Sequence, residues 1–263
     1  MTDYNTGLGN RLIYFPAPGA HHGLTAGYPW NSALIEICGA LGSSVVRPLT
    51  RFLPLAFLLP LATAPADLPR DASDALTADF AERDRLPESP VPASEWYRAG
   101  SQETWGPKAT SYSPVRVPAV ADKIGWKRAR IVAVARHYLG LPYQHHHIPA
   151  WAPPGNLGAQ SAGLDCSNFT SWVYNYGLGI EFTSDVNVQA DGPKAPGRRL
   201  AANEALAPGD LLFIMNRDRT KLTHVVIYID PGHIIDDHAD GVRVRPFAGW
   251  YTSSFSHARR IIE

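Results

Sequence analysis

Two stretches in the second half of the chain carry apolar residues at helical spacing. The first covers residues 124–139. It places four apolar residues on one face: Ile131, Val134, Ala135 and Tyr138. Gly140 and Pro142 follow, and both are typical of a helix end. We therefore predict a helix that ends near residue 139.

The second stretch begins at Cys166. Its apolar residues occupy positions i, i+3, i+4 and i+7 of one helical face: Phe169, Trp172, Val173 and Tyr176. Asp165 is suited to the N-cap and Gly177 to the C-terminal end. This helix would hold Cys166 in its first turn, on the same inward-facing side as Phe169.

The pattern changes to strands after residue 207. Apolar runs at 211–215 and 222–229 are separated from their neighbours by the turns 208–210 and 230–232. A return strand is expected at 233–236. An alternating strand with one exposed face follows at 241–247. Helices followed by an antiparallel sheet predict an α+β domain over residues 121–263.

The first 120 residues show no such pattern. Residues 1–46 show neither the helical nor the strand periodicity of apolar residues. Residues 47–66 have a basic flank, a short apolar core and an Ala-rich end, which is typical of a secretory signal peptide; a buried hairpin is the alternative. Residues 67–120 are rich in Pro and polar residues and are interpreted as a linker. Three aromatic residues in it are suited to packing on the following domain: Trp96, Tyr97 and Trp105.

A signal peptide at residue 47 lies far from Met1. Our hypothesis is that translation begins at Val45 or Val46 and that residues 1–46 do not belong to the mature protein. The apolar core is too short to span a membrane. No cysteine lies directly after it that could carry a lipid, so no stable membrane anchor is expected after cleavage.

Composition excludes several classes of protein. The 263 residues include 24 basic and 24 acidic side chains, and 45% of the residues are hydrophobic. A balanced charge gives no general attraction to nucleic acid or to anionic membranes. Two cysteines, Cys38 and Cys166, are too few for a disulfide-stapled scaffold.

Cys166 is the first candidate for chemistry. Cleavage of the signal peptide would remove Cys38 and leave Cys166 as the only cysteine, which is a liability in an oxidising compartment. It could be a small buried apolar residue. Its place in the first helical turn instead favours a nucleophile, since the helix dipole there stabilises a thiolate.

A cysteine nucleophile needs a base, and ten histidines are available. His224 opens the strand at 222–229, which would hold its ring rigidly. The run His145, His146 and His147 lies in a Pro-rich loop, where a polar surface or a cleft rim is expected. A zinc site formed by His145, His147 and a carboxylate is an alternative, but no HExxH or Cys/His spacing supports a metal.

Three motifs together resemble the NlpC-type family of papain-like cysteine peptidases. They are Asp-Cys-Ser at 165–167, Pro-Gly-Asp-Leu-Leu-Phe at 208–213 and His-Val-Val-Ile-Tyr at 224–228. The segment 139–143 resembles the one that precedes the nucleophile, and the resemblance covers about residues 125–262. It implies an exported bacterial hydrolase that cuts amide bonds in peptidoglycan stem peptides without a metal or other cofactor.

Carried over to this chain, the resemblance assigns Cys166 as nucleophile, His224 as base and Asp236 as the third, orienting residue. The family often has His at the third position. Tyr143 matches a tyrosine that lines the family's active site, and Asp165 and Ser167 flank the nucleophile as residues that support substrate or oxyanion. Asn168 replaces the usual glycine and the histidine run replaces Gly-Gly. Both departures affect substrate identity more than chemistry.

The choice between Asp236 and Asp237 depends on the register of the hairpin. A two-residue loop at Pro231-Gly232 pairs Val226 with Asp237, whereas a three-residue loop pairs Val226 with Asp236. Turn chemistry favours the first register. The family spacing of twelve residues after the histidine favours the second, and we predict Asp236.

Three functions remain open at this stage. The resemblance favours a periplasmic or extracellular endopeptidase acting on peptidoglycan, with no nucleic-acid partner. An amidase or acyltransferase acting on another amide or ester is the second. A non-catalytic protein that binds the cell wall is the third.

Overall fold

Helices cover one face of a six-stranded sheet. The structure, a computed structural model, describes residues 68, 70–92, 106–150 and 162–263. The strands are β1 (Arg198–Arg199), β2 (Leu211–Met215), β3 (Leu222–Asp230), β4 (His233–His238), β5 (Gly241–Pro246) and β6 (Phe255–Arg260). Their order across the sheet is β1-β6-β2-β3-β4-β5, and every neighbouring pair is antiparallel. The predicted α+β class is confirmed.

The helices in the described part of the chain are α1 (Arg70–Asp74), α2 (Phe80–Arg83), α3 (Lys123–His137), α4 (Cys166–Leu178), α5 (Val186–Asp191) and α6 (Trp250–Ser253). Asp122 caps α3 and Asp165 caps α4, each by accepting a hydrogen bond from a backbone N–H three residues further on. The two long predicted helices are therefore present, and each begins at a capping aspartate.

The end of α4 differs from our prediction. Gly177 lies inside the helix, where a Cβ atom would come within 3.2 Å of Ile131 and 3.3 Å of Val134 on α3. The glycine therefore permits close packing of the two helices. Gly179, with φ of 68°, forms the left-handed cap instead.

The central strands are buried on both faces. One set of side chains packs on α3 and α4 and includes Val225, Ile227, Ile235 and Val242. The other lies on the opposite face and includes Leu212, Val226, Tyr228, Ile234 and Ala258. Side chains alternate along a strand, so Val225, Ile227 and Ile229 of β3 face the helices, whereas Val226 and Tyr228 face away. This alternation decides where His224, Asp236 and Asp237 point.

Part of the segment interpreted as a linker packs on the domain. Phe80 of α2 is buried in the same cluster as α3 and α4, and Arg83 Nη1 donates to the Tyr176 carbonyl at 2.6 Å. Further along, the Tyr112 N–H donates to Asn175 Oδ1 at 3.1 Å. These anchors are single residues spread through a polar, Pro-rich sequence, so they leave no periodic pattern.

The expectations for residues 1–46, for the signal peptide at 47–66 and for Trp96, Tyr97 and Trp105 lie outside the described residues. Within the described ranges, no helix is long and apolar enough to cross a membrane.

Candidate active site

Cys166 is the first residue of α4. The Asp165 carboxylate receives hydrogen bonds from the Asn168 N–H at 2.7 Å and from Ser167 Oγ at 3.0 Å. Asp165 thereby pairs one of the backbone N–H groups at the start of the helix that have no partner within the helix. Asp165 and Ser167 therefore fix the turn from which the Cys166 side chain projects into the core.

The thiol is not a preformed thiolate. Its side chain is 6% exposed. Burial raises the pKa of Cys166 to about 12, and the Asp165 carboxylate adds to this rise. The backbone N–H groups of Val225 and Ser167 lower the pKa, but by less. The expectation that the helix dipole would stabilise a thiolate is therefore wrong, because desolvation outweighs the dipole.

His224 and Asp236 are directly bonded. His224 Nε2 lies 2.7 Å from Asp236 Oδ2, and both side chains are buried. The pKa of Asp236 is lowered: burial raises it, but hydrogen bonds from His224, Tyr251 and Arg245 outweigh that effect. An ionised carboxylate can only accept, so Nε2 carries the proton. In a neutral imidazole the lone pair is then on Nδ1, which is the atom that can act as a base.

The β3–β4 hairpin has a register that neither of our two predictions describes. Asp230 pairs with His233, so the loop is the two residues Pro231 and Gly232, and φ at Gly232 is 101°. A bulge between Tyr228 and Asp230 then shifts the register, so that Ile227 pairs with Ile235. The short turn and the Asp236 register therefore coexist, since the bulge absorbs the extra residue.

Two further residues hold Asp236. Arg245 Nε of β5 donates to Oδ1 at 2.6 Å, and the Tyr251 hydroxyl of α6 donates to Oδ2 at 2.7 Å. The carboxylate thus accepts from three side chains, each on a different element. Sequence reasoning missed both residues. The alternation of Arg243 and Arg245 was interpreted only as an exposed strand face, and nothing in the sequence marked Tyr251.

Asp237 points the other way and has a different environment. Its side chain is fully buried, and neither carboxyl oxygen has a hydrogen-bond partner among the described residues. Burial raises the pKa of Asp237 to about 9, and the charges of Asp236 and Asp165 add to the rise. Asp237 is therefore a neutral acid at pH 7. It does not orient His224.

Tyr143 lies beside the thiol. It forms a parallel bridge with Leu164, which brings the loop 143–147 to the start of α4. Burial raises the pKa of its hydroxyl, and the charges of Cys166, Asp165 and Asp237 raise it further. Tyr143 thus remains a hydrogen-bond donor. Its ring lies 5.5 Å from that of His145, whose Nδ1 is 3.3 Å from Asp165 Oδ2.

An open cleft of about 510 Å³ gives access to this region. It is lined by Tyr143, Asn216, Arg217, Thr223, His224, His238, Ala239 and Trp250. His224 is thus both buried in the sheet and present at the cleft wall. A second cleft of about 320 Å³ lies along the polar side of α4, and Asn168 lines it together with His147.

The three histidines of the run make different contacts. His145 contacts Asp165, and His147 Nδ1 lies 3.1 Å from the Gly106 carbonyl. Burial lowers the pKa of His146 to about 4. In the parts of the chain that the structure describes, no three His, Cys, Asp or Glu side chains are grouped as metal ligands would be.

Comparison with known proteins places this geometry in context. Residues 154–260 match the model of the NlpC/P60 family. Gamma-DL-glutamyl hydrolase of Bacillus subtilis (strain 168) is 29% identical over 118 residues, which are 45% of this chain and 24% of that protein. Probable endopeptidase p60 of Listeria grayi is 31% identical over 114 residues, 43% of this chain and 19% of that protein. The chain therefore matches only about a fifth to a quarter of the length of these relatives.

Two solved structures are also similar. An NlpC/P60 family protein from Bacillus cereus ATCC 10987 shares 25% identity, with coverage of 52% of this chain and 40% of that one and a TM-score of 0.42. The NlpC/p60 domain of the peptidoglycan hydrolase SagA shares 26% identity, with coverage of 51% and 97% and a TM-score of 0.36. The resemblance inferred from three short motifs is confirmed by the match of residues 154–260 to the model of the NlpC/P60 family.

Proposed function

We propose that this protein is an exported cysteine hydrolase that cleaves amide bonds in peptidoglycan stem peptides. The observation that carries the proposal is the pair His224 Nε2–Asp236 Oδ2 at 2.7 Å. It leaves His224 Nδ1 available as a base. The next residue, Val225, has a backbone N–H that interacts with the Cys166 thiol. A relative named endopeptidase and one named hydrolase support the reaction class.

The reaction begins from a neutral thiol. His224 Nδ1 takes the Cys166 proton as the sulfur attacks the amide carbonyl, so the thiolate exists only as the new C–S bond forms. Asp236 stabilises the resulting imidazolium through Nε2–H. Because burial raises the pKa of Cys166 to about 12, a base at the thiol is required rather than merely helpful.

The oxyanion forms beside the first turn of α4. The Cys166 backbone N–H lies at the start of this helix, where N–H groups have no partner in the preceding turn, and it is our candidate donor. The Tyr143 hydroxyl is a second candidate, because its raised pKa keeps it protonated. The C–N bond then breaks, the imidazolium protonates the leaving amine, and water hydrolyses the thioester to free Cys166 and a carboxylate.

One relative favours a second candidate substrate. Its name, gamma-DL-glutamyl hydrolase, indicates activity on γ-glutamyl bonds. Such a bond is an amide, so the same three residues could hydrolyse it in a γ-linked glutamate polymer. This makes an amidase with another amide substrate the main alternative to a cell-wall endopeptidase.

The experiment is a digest of purified peptidoglycan and, in parallel, of γ-linked polyglutamate, each followed by mass analysis of the products. We expect new amine and carboxyl termini within stem peptides and none with the Cys166→Ala variant. Release of glutamate fragments alone would replace the proposed substrate by the alternative. No product from either, together with retained binding to peptidoglycan, would favour a wall-binding protein.

Export is tested separately. The proposal expects the mature protein in the culture medium or the cell envelope, with an amino terminus near residue 67. Amino-terminal sequencing of the precursor and of the mature form measures both ends. A mature protein that retains Met1 would contradict both the predicted start at Val45 or Val46 and cleavage of a signal peptide.

A further inference from the structure

The Asp236 carboxylate has more partners than orienting an imidazole requires. His224 and Tyr251 each bond to Oδ2 at 2.7 Å, and Arg245 bonds to Oδ1 at 2.6 Å. Asp236 itself is fully buried. Burial alone would favour the neutral acid, as it does at the neighbouring Asp237. The ionised state of Asp236 therefore depends on what surrounds it.

Arg245 is the only arginine or lysine bonded to Asp236 in the described residues. Its side chain is 19% exposed, and it also pairs with Asp240 at the β4–β5 turn, through both Nη atoms. The guanidinium is planar and always charged, so it can hold two carboxylates in fixed directions. This arrangement anchors Arg245 from the solvent side while Nε reaches the buried carboxylate.

Tyr251 supplies a neutral donor to the oxygen that faces His224. Burial raises the pKa of its hydroxyl, and the charge of Asp236 raises it further, so Tyr251 stays a donor. If Asp236 were neutral, its proton could lie on Oδ2, and this oxygen would then not accept hydrogen bonds from both His224 and Tyr251. The two donors on Oδ2 therefore fit an ionised carboxylate.

We propose that Arg245 and Tyr251 are positioning residues that keep Asp236 ionised and directed at His224 Nε2, and thereby keep Nδ1 available for the Cys166 proton. The inference rests on the proposed function, since it assigns these residues a part in the same proton transfer. Neither residue touches the reacting atoms. Their effect passes through Asp236.

Several other titratable groups lie near Asp236, and the experiment must separate their effects on the pH profiles from the effect of Arg245. They come from each element packed around it: His224 and, on α4, Cys166; His238 and Asp237 on its own strand; Asp240 in the next turn; and Arg245 and Tyr251 themselves. Loss of Arg245 removes one of the hydrogen bonds that oppose the effect of burial on Asp236. The pKa of Asp236 then rises, and the acid limb of activity moves to higher pH.

The experiment measures the rate of iodoacetamide labelling of the Cys166 peptide by mass spectrometry, and kcat/KM on peptidoglycan, from pH 5 to 9 in the full chain. For Arg245→Met we expect the pKa of Asp236 to rise toward that of Asp237, which is equally buried and has no partner among the described residues, so that both rates fall by about tenfold near pH 6 and recover at higher pH. Arg245→Lys should restore much of the loss. Tyr251→Phe should shift both profiles in the same direction by less.

Arg243 provides a matched control. It lies on the same strand and pairs with Asp240 at 3.1 Å, but it has no bond to Asp236 in the described part of the chain. Arg243→Met should leave both profiles in place. An equal shift in Arg243→Met and Arg245→Met would overturn the inference, because a general loss of positive charge would then explain it. Unchanged profiles in Arg245→Met would overturn it as well.

The two readouts separate this inference from the proposed function. Labelling needs no substrate, so a shifted labelling profile with no digestion of peptidoglycan would reject the proposed substrate and retain the role of Arg245. If Arg245→Met does not fold, Arg245→Lys and Tyr251→Phe decide. Profiles identical to the parent in both would overturn the proposal.

Discussion

On one face of β4, Asp236 accepts hydrogen bonds from a histidine, an arginine and a tyrosine. On the other, Asp237 is equally buried and has no hydrogen-bond partner among the described residues. The pKa of the first carboxyl is lowered, and that of the second is raised to about 9. Since the two are adjacent in sequence and equally buried, partners rather than burial decide which one is ionised.

The same contrast extends to the two faces of the sheet. The face with Asp236 holds His224 and its proton. The helix-facing side holds Cys166, whose pKa is also raised, together with neutral Tyr143 and Asp237. Proton transfer from Cys166 to His224 would therefore place a positive charge on the imidazole, beside the ionised Asp236. It would form the Cys166 thiolate in a region that disfavours charged groups. In the proposed mechanism, the thiolate therefore forms only during attack.

The largest expected effect is at Cys166, on the helix-facing side of the sheet. Cys166→Ala removes the proposed nucleophile, and we expect turnover of peptidoglycan to fall to the background rate while the fold is retained, because alanine fits an inward-facing first helical turn. Product analysis by mass spectrometry measures turnover, and circular dichroism checks the fold. A folded variant that keeps more than a few per cent of activity would exclude Cys166 as nucleophile.

The comparison itself is tested by paired substitutions on the two faces. Asp236→Asn should reduce kcat by about 10²–10⁴, because an amide facing Nε2 no longer enforces the tautomer with its lone pair on Nδ1. Asp237→Asn replaces a neutral acid by a neutral amide of the same shape and should change kcat by less than about threefold. Both are measured on the same peptidoglycan preparation at pH 7. The reverse order would mean that Asp237 orients the base.

How far the sequence predicts this site can be judged from its residues. The helical pattern around Phe169 and the aspartate before Cys166 predict α4 and the location of the thiol, because both are local signals. The strand containing His224 is similarly evident. The ionisation of Cys166 was predicted wrongly, because the helix dipole can be inferred from local sequence, whereas desolvation depends on everything packed above the helix.

Other parts of the site depend on contacts between distant segments. Strand β6, which pairs with β2 in the middle of the sheet, has the polar sequence Phe-Ser-His-Ala-Arg-Arg and was not predicted. The bulge in β3 compensates for a short turn, and no local signal indicates it. Arg245 and Tyr251 meet Asp236 only because β5 and α6 fold back beside β4, so their role is visible in the structure alone.

The smallest expected effect concerns stability and separates the two aspartates by the sign of their pH dependence. The pKa of Asp237 is raised to about 9 in the folded protein, whereas an unfolded chain releases this proton near pH 4. Between these values the folded state binds the extra proton, so the contribution of Asp237 to stability falls as pH rises through this window. The pKa of Asp236 is lowered, so its contribution is present above about pH 4 and is lost as pH falls through its lower folded pKa.

Asp237→Asn should therefore remove the loss of stability that Asp237 causes as the pH rises. We expect its Tm to match that of the parent near pH 4 and to exceed it by about 3–5 °C more for each pH unit up to pH 8, because each unit of this window is worth about 1.4 kcal/mol. Asp236→Asn should behave oppositely, with a Tm below the parent at pH 8 and a deficit that shrinks on acidification. Thermal unfolding followed by circular dichroism at several pH values measures both. A Tm difference for Asp237→Asn that stays constant from pH 4 to 8 would show that Asp237 is not a buried neutral acid, and the contrast between the two faces of β4 would then be lost.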